Sequence, residues 1–299
     1  MILVVGEILY DVFPDYKRMG GAPFNFAFHL KNLGFPVRFI SRVGNDADGK
    51  EILEKLELFG FNLGDIQIDP VHSTGSVQVR LDENKVPNFK ITPHVAYDYI
   101  EFIRDIHTPL IHESKLIYFG SLVQRSELGF DNIQAILSRK PPSARCFYDI
   151  NLRPACYSKA VVTTSLSQAN VLKLNNEECD EIRRLLRYKK DSDIFMQYLM
   201  DRYPLEVISL TKGDRGSEIY TPTGCFRVGT TKIGNVVDSV GAGDAYAAML
   251  VAGLLGQWRP ETILHRAAAF ASQICQIKGA IPESELFYEP FISMINPGE

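Results

Sequence analysis

Asp238-Ser-Val-Gly-Ala-Gly-Asp-Ala-Tyr-Ala-Ala-Met-Leu250 sets a glycine turn directly before an apolar run, with one carboxylate, Asp244, at the junction. From Ala245 to Leu255 only apolar residues and Gly253 occur, so the helix that this run predicts is buried nearly all round. The first amides of a helix lack partners and carry the positive end of its dipole, which suits the turn Gly241-Ala242-Gly243 to an anion. A neighbouring carboxylate would weaken that cradle. The two features agree if a hydroxyl loses its proton to Asp244 while the amides take the charge of a phosphoryl group, as in phosphoryl transfer to an alcohol. Two other readings stand beside this one. Asp244 could be a first-turn dipole partner or cap, or the turn could bind a dinucleotide, although it lacks the third glycine and lies late in the chain.

Working outward, apolar runs at Ile2–Val5, Val37–Val43, Leu116–Phe119, Cys146–Ile150, Val171–Leu174 and Val207–Leu210 predict strands. Helix-period segments at 24–33, 48–59, 126–138, 176–187, 191–202, 241–256 and 260–277 alternate with them. Such alternation implies a mainly parallel sheet covered on both faces. Ser76-Val-Gln-Val-Arg-Leu-Asp82 breaks the rhythm by alternating polar and apolar residues strictly, and Lys85–Ile91 follows after a turn. A strand pair with two unlike faces is expected to project as a small second sheet, joined by the segment around residues 9–19. Periodicity leaves open whether that sheet is a flap over a site or decoration.

Gly44-Asn-Asp-Ala-Asp-Gly-Lys50 fits the first seven positions of a phosphate-binding loop, but Glu51 stands where a hydroxyl should meet Mg²⁺. With Asp46 and Asp48 beside it, the stretch reads as an acidic helix start. Across 299 residues, 45% hydrophobic and 23% charged, the composition is that of a folded globular protein. A formal charge of -4 argues against a nucleic-acid or anionic-membrane partner. Five separated cysteines without C-x-x-C spacing are expected to be reduced packing residues. The apolar amino end is interrupted by Glu7 and Asp11 and reads as a strand rather than a leader, and no run has the length of a membrane span. A cytoplasmic protein is expected.

Asp238-Ser-Val-Gly-Ala-Gly-Asp244 resembles the D-T-x-G-A-G-D signature of the ribokinase-like (PfkB) carbohydrate kinases. Gly20-Gly-Ala-Pro-Phe-Asn25 is similar to that family's glycine pair and asparagine, in the form of its fructokinase branch. Asp149-Ile-Asn-Leu-Arg153 resembles the D-x-N-x-R segment of fructokinases and 2-keto-3-deoxygluconate kinases. Asn175-Asn-Glu-Glu178 is similar to N-x-x-E, and Thr211-Lys-Gly-Asp-Arg-Gly216 to the T-x-G-x-x-G nucleotide turn. Ser239 and Lys212 depart from the usual residues without removing a group the chemistry requires.

The resemblance runs through the whole chain. It implies an α/β fold: a ribokinase-like three-layer α/β/α sandwich with a mainly parallel central sheet and a small projecting β-sheet lid. The kinase domain would span 1–299, with the lid at about 9–20 and 73–93. The implied activity is transfer of the ATP γ-phosphoryl group to a primary hydroxyl of a monosaccharide, with fructose the leading substrate. 2-Keto-3-deoxygluconate is the runner-up, because Arg153 could pair its carboxylate. A non-catalytic sugar-binding relative is the alternative from another class, and it would have no use for Asp244 beside an anion hole.

By the same resemblance Asp244 is the general base, and Gly241, Ala242 and Gly243 form the anion hole. Asp11, near the end of the first strand, would bind the sugar with Gly20, Gly21, Asn25 and Arg153. Asn175, Thr211, Gly213 and Gly216 would serve the nucleotide. Glu178 would hold Mg²⁺ through water, and Asp238 with the backbone of Val240 would belong to the K⁺ site that many members have. Closure of the lid would exclude water, and in many members the lid also joins two subunits as a homodimer. Tyr97 and Tyr99 could reach the sugar. Taken without the family, Asn175 and Glu178 are equally a capped helix start, and residues 211–216 equally a plain strand-to-strand turn.

Overall fold

All four residues of β1 (Ile2–Val5) are buried, with Ile2 and Val4 in one apolar cluster and Leu3 and Val5 in another. A strand apolar on both sides needs a layer against each, which places it inside a sheet rather than at its edge. The computed structural model describes residues 1–81, 87–189, 192–229 and 236–295. After β1 come β2 (Leu9–Val12), β3 (Lys17–Gly20), α1 (Ala22–Asn32), β4 (Val37–Gly44), α2 (Ala47–Leu58), β5 (Ile66–Asp69), β6 (Gly75–Leu81) and β7 (Pro87–Ile91). Then follow α3 (Arg104–Glu113), β8 (Leu116–Gly120), α4 (Glu127–Leu137), β9 (Arg145–Asp149), α5 (Lys159–Gln168), β10 (Val171–Asn175), α6 (Asn176–Leu185) and α7 (Ser192–Arg202). The last elements are β11 (Val207–Thr211), β12 (Ser217–Thr221), β13 (Gly224–Val228), α8 (Ala242–Leu255), α9 (Pro260–Ile274) and α10 (Glu289–Ile295).

The large sheet has the order β13-β12-β11-β10-β9-β8-β1-β4-β5, parallel from β11 to β5 and antiparallel only at β12 and β13. Side chains of α1, α2, α8, α9 and α10 pack on the Ile2/Val4 side, and those of α3 to α7 on the Leu3/Val5 side. This is the three-layer α/β/α sandwich expected. Helix α8 is buried from Ala245 to Gly253 without a break, as its apolar run requires. None of the described helices is long and apolar enough to cross a membrane.

Three features had no signal strong enough to read. β12 and β13 form a polar edge hairpin, α5 is rich in Thr and Ser, and α3 carries Pro109 inside it.

The small sheet has the order β3-β2-β6-β7, with β2 parallel to β6 and the outer pairs antiparallel. The turn expected between Ser76–Asp82 and Lys85–Ile91 falls partly on 82–86, outside the described residues. This sheet is tied to the acidic stretch that mimics a phosphate loop. Asp46 caps α2 by accepting from the Gly49 amide at 2.7 Å, and it also accepts from the Thr74 amide at 2.8 Å and the Thr74 hydroxyl at 2.6 Å. Lys17 of β3 donates to Asp48 at 2.6 Å and to Glu51 at 2.5 Å. The acidic helix start is therefore a cap and an anchor for the small sheet. Replacement Asp46→Ala should cost about 0.5–2 kcal/mol from the lost cap alone, with more from the orphaned Thr74 amide, read as a lower urea midpoint at unchanged slope.

Candidate active site

The carboxyl ends of β1, β8, β9, β10 and β11 lie side by side, with Gly120 opposite Asp149, Asp149 opposite Lys173, and Asn175 opposite Thr211. In open α/β sheets this edge is where ligands bind. Lys173 is 7% exposed and Asp149 is 0% exposed, and the ammonium donates to both carboxylate oxygens at 3.0 and 3.1 Å. The Tyr118 hydroxyl donates to the same carboxylate at 3.1 Å. A Cβ added at Gly243 would lie 3.2 Å from Lys173 Nζ, so the buried ammonium sits directly against the first turn of α8.

Gly241 caps α8 at φ +79°, and a side chain there would meet Ala280 at 2.2 Å; both facts demand glycine. The Ala242 amide donates to Ser239 O at 3.3 Å, while those of Gly243 and Asp244 have no backbone partner among the described residues. The Asn25 amide, on the first turn of α1, donates to Asp244 Oδ2 at 2.8 Å. Burial raises the Asp244 carboxyl to about 6, against the pull of the Lys173 charge.

Asp11 lies on β2 of the small sheet, not at the end of the first strand as the sequence suggests, because the chain leaves β1 at Val5 and bends through Gly6-Glu7. Its Oδ2 would stand 2.8 Å from a Cβ at Gly20, and a Cβ at Gly21 would press on Glu7 O at 2.6 Å. The glycine pair thus makes room for the two acids. Burial raises Asp11 to about 6 and Glu7 to about 7. Arg153, in the loop after β9, is the cation common to all three acids, pulling down Glu7 together with Arg125, Asp11 together with Arg18, and Asp244 less than Lys173 does. It forms no ion pair among the described residues.

Asn175 and Glu178 make a reciprocal capping box at the start of α6: the Glu178 amide donates to Asn175 Oδ1 and the Asn175 amide to Glu178 Oε2, each at 2.8 Å. Glu178 Oε1 also accepts from the Leu152 amide at 3.0 Å, tying the Arg153 loop to α6. The turn at 211–216 joins antiparallel β11 and β12, with Gly213 and Gly216 at φ +59° and +91° and the Lys212 amide donating to Gly216 O at 2.8 Å. Beside it opens a cavity of about 280 Å³ lined by Asn176, Arg183, Lys212 and Arg215. Asp238 accepts from the Val240 amide at 3.0 Å, the Gly279 amide at 3.1 Å and Arg18 of β3 at 3.4 Å. Tyr97 is buried under the small sheet with Arg125 over its ring at 5.2 Å, whereas Tyr99 stacks on His72.

Lys173 and Glu7 are the residues that motif reading passes over. The signal for Lys173 was a lone charge inside the apolar strand Val171-Leu-Lys-Leu174, where a buried charge must find a partner.

Comparison with known proteins matches residues 2–286 to the pfkB family carbohydrate kinase model. The chain is 26% identical to a fructokinase of Escherichia coli, over 85% of this chain and 84% of that one. It is also 26% identical to a 5-dehydro-2-deoxygluconokinase of Geobacillus thermodenitrificans, over 86% of this chain and 78% of the other. A fructokinase from Xylella fastidiosa, solved with bound ATP, superposes with a TM-score of 0.83 at 23% identity over 93% of both chains, a likeness that speaks for the fold.

Replacement Lys173→Met leaves Asp149 charged, buried and unpaired, and should destabilise the protein by about 3–5 kcal/mol. The double replacement Lys173→Met/Asp149→Leu should recover most of that loss, as a double-mutant cycle of urea unfolding will show.

Proposed function

The chain belongs to the pfkB family of carbohydrate kinases, and on that premise we propose that it transfers the γ-phosphoryl group of ATP to a primary hydroxyl of fructose, with Asp244 as general base. The observation that carries this reading is the Asp244 carboxylate, held by Asn25 at 2.8 Å in the first turn of a helix where the Gly243 and Asp244 amides have no backbone partner among the described residues. The sugar hydroxyl gives its proton to Asp244, its oxygen forms a bond to the γ-phosphorus, and the bond from that phosphorus to the bridging oxygen of ADP breaks. Of the expected anion hole at Gly241, Ala242 and Gly243, the Ala242 amide is turned to Ser239 O, so the Gly243 amide, joined by that of Asp244, faces the charge on the transferring group, with the Lys173 ammonium against Gly243. Gly20, Gly21, Asn25, Asp11 and Arg153 surround the sugar. The small sheet acts as a lid over about 9–20 and 73–93, and β2 carries Asp11 on it. Fructose is favoured by the Gly20-Gly-Ala-Pro23 form and by the fructokinases among the relatives.

Residues Asn175, Thr211, Gly213 and Gly216 shape the nucleotide side, next to the basic cavity at Lys212 and Arg215. Both Glu178 oxygens accept one amide each, which leaves lone pairs for a water of Mg²⁺, an ion that keeps several waters and is held through one or two carboxylates and phosphates. Mg²⁺, when bound there, neutralises charge on the phosphates. Asp238 Oδ1 accepts a single amide, which leaves a lone pair for K⁺, while Oδ2 is shared by the Gly279 amide and the Arg18 guanidinium. No step is assigned to a monovalent cation.

ADP release over a panel of sugars tests the reading. Asp244→Asn should lower kcat by about 10²–10⁴-fold with the fold intact, and full activity in that variant would overturn the assignment. The base works ionised, so wild-type kcat/KM should fall as pH drops through about 6, measured from pH 5 to 8.

A further inference from the structure

Glu7 closes the turn after β1 and is 4% exposed, yet its Oε2 has no hydrogen-bond partner among the described residues. Asn25 Oδ1 and the Tyr97 hydroxyl, at 4% and 0% exposure, are orphaned in the same way. Leaving a buried polar atom unpaired costs free energy, and such atoms in a native fold call for an explanation. These three are linked through shared neighbours. The orphaned Asn25 oxygen belongs to the amide that holds Asp244, and the Asn25 backbone amide donates to Gly21 O, a glycine where a Cβ would lie 2.6 Å from the Glu7 carbonyl oxygen. Glu7 and Tyr97 lie within electrostatic reach of each other and of Arg125, and Glu7 within reach of Asp244 and Arg153. Gly75 has room for no side chain, because the Tyr97 ring would lie 2.5 Å from its Cβ.

The charges around these residues do not balance. Arg125 is spent on Asp98 at 2.6 Å, Lys173 on Asp149 at 3.0 Å and Arg18 on Asp238 at 3.4 Å. Arg125, Lys173 and Arg18 still pull on Glu7, Asp244 and Asp11 respectively, but Arg153 is the one cation of the four without an ion pair among the described residues, against three acids. A ligand carrying a carboxylate would add a fourth acid to that excess, whereas a neutral polyhydroxy sugar brings O–H donors for the waiting acceptors.

Resting on the kinase reading above, we propose that Glu7 accepts a hydrogen bond from a substrate hydroxyl and selects neutral polyhydroxy sugars against sugar acids. Sites built to bind a hydroxyl reject analogues that lack it far more strongly than apolar pockets discriminate size. The Glu7 carboxyl, raised by burial to about 7, is largely ionised above that pH and then acts purely as an acceptor.

The test measures kcat/KM at pH 8 for fructose and for 2-keto-3-deoxygluconate in wild type, Glu7→Gln and Glu7→Leu. Wild type should prefer fructose, and Glu7→Gln should shrink that preference by about tenfold or more, with a larger loss in Glu7→Leu. Glu7→Gln keeps the shape and removes a buried ionised group, so it should unfold at or above the wild-type temperature at pH 8. That keeps the test readable if Glu7→Leu fails to fold. An unchanged preference in Glu7→Gln, or a wild type that prefers the acid, overturns the proposal. Loss of the kinase reading itself would show separately, as retained turnover in Asp244→Asn.

Discussion

An ammonium and a carboxylate out of water, Lys173 and Asp149, hold the carboxyl edge of the sheet together at the candidate active site. Neither could be buried alone, since an isolated charge in the interior is far too costly. Their pairing fixes neighbouring strands β9 and β10 and sets a cation under the first turn of α8. The Tyr118 hydroxyl on β8 gives the carboxylate a further hydrogen bond. Asp244 is pulled toward ionisation by Lys173, and the same ammonium lies against the first turn of that helix at Gly243. The proposed base and anion cradle thus draw on one buried charge.

Three acids then crowd the cleft with Arg153 as their shared counter-charge. Each is pushed toward neutrality by burial, and that is the condition under which carboxyl groups exchange protons near neutral pH. The glycines at 20, 21 and 75 serve the same arrangement by subtraction, since each removes a side chain that would collide with Asp11, with the Glu7 carbonyl or with Tyr97.

Much of this was legible in the sequence. The buried helix after Gly241, the six predicted strands and the two-faced strand pair are local patterns, set by the period of apolar residues within one segment. What stayed hidden depends on partners far along the chain. Lys173 meets Asp149 across 24 residues, and Asp46 meets Thr74 across 28. Glu7 and Asp11 sit in a run, Met1–Phe13, that reads as one strand, because the bend at Gly6-Glu7 leaves no mark in hydrophobicity. The capping box at Asn175 and Glu178 shows that a structural role and the role expected in phosphate chemistry can share the same atoms.

The parallel pairing of β2 with β6 sets Asp11 opposite Val77, with Leu9 on its own face and Tyr10 on the other. In a strand a slip of one residue exchanges the two faces. Tyr10 would then point where Asp11 does now, and the acid would be carried into the packing that Tyr10 fills. This imposes a parity rule on the history of the protein. Within β2 substitutions can accumulate one at a time, but an insertion or deletion of a single residue inverts the strand and removes an acid from the cleft in one step.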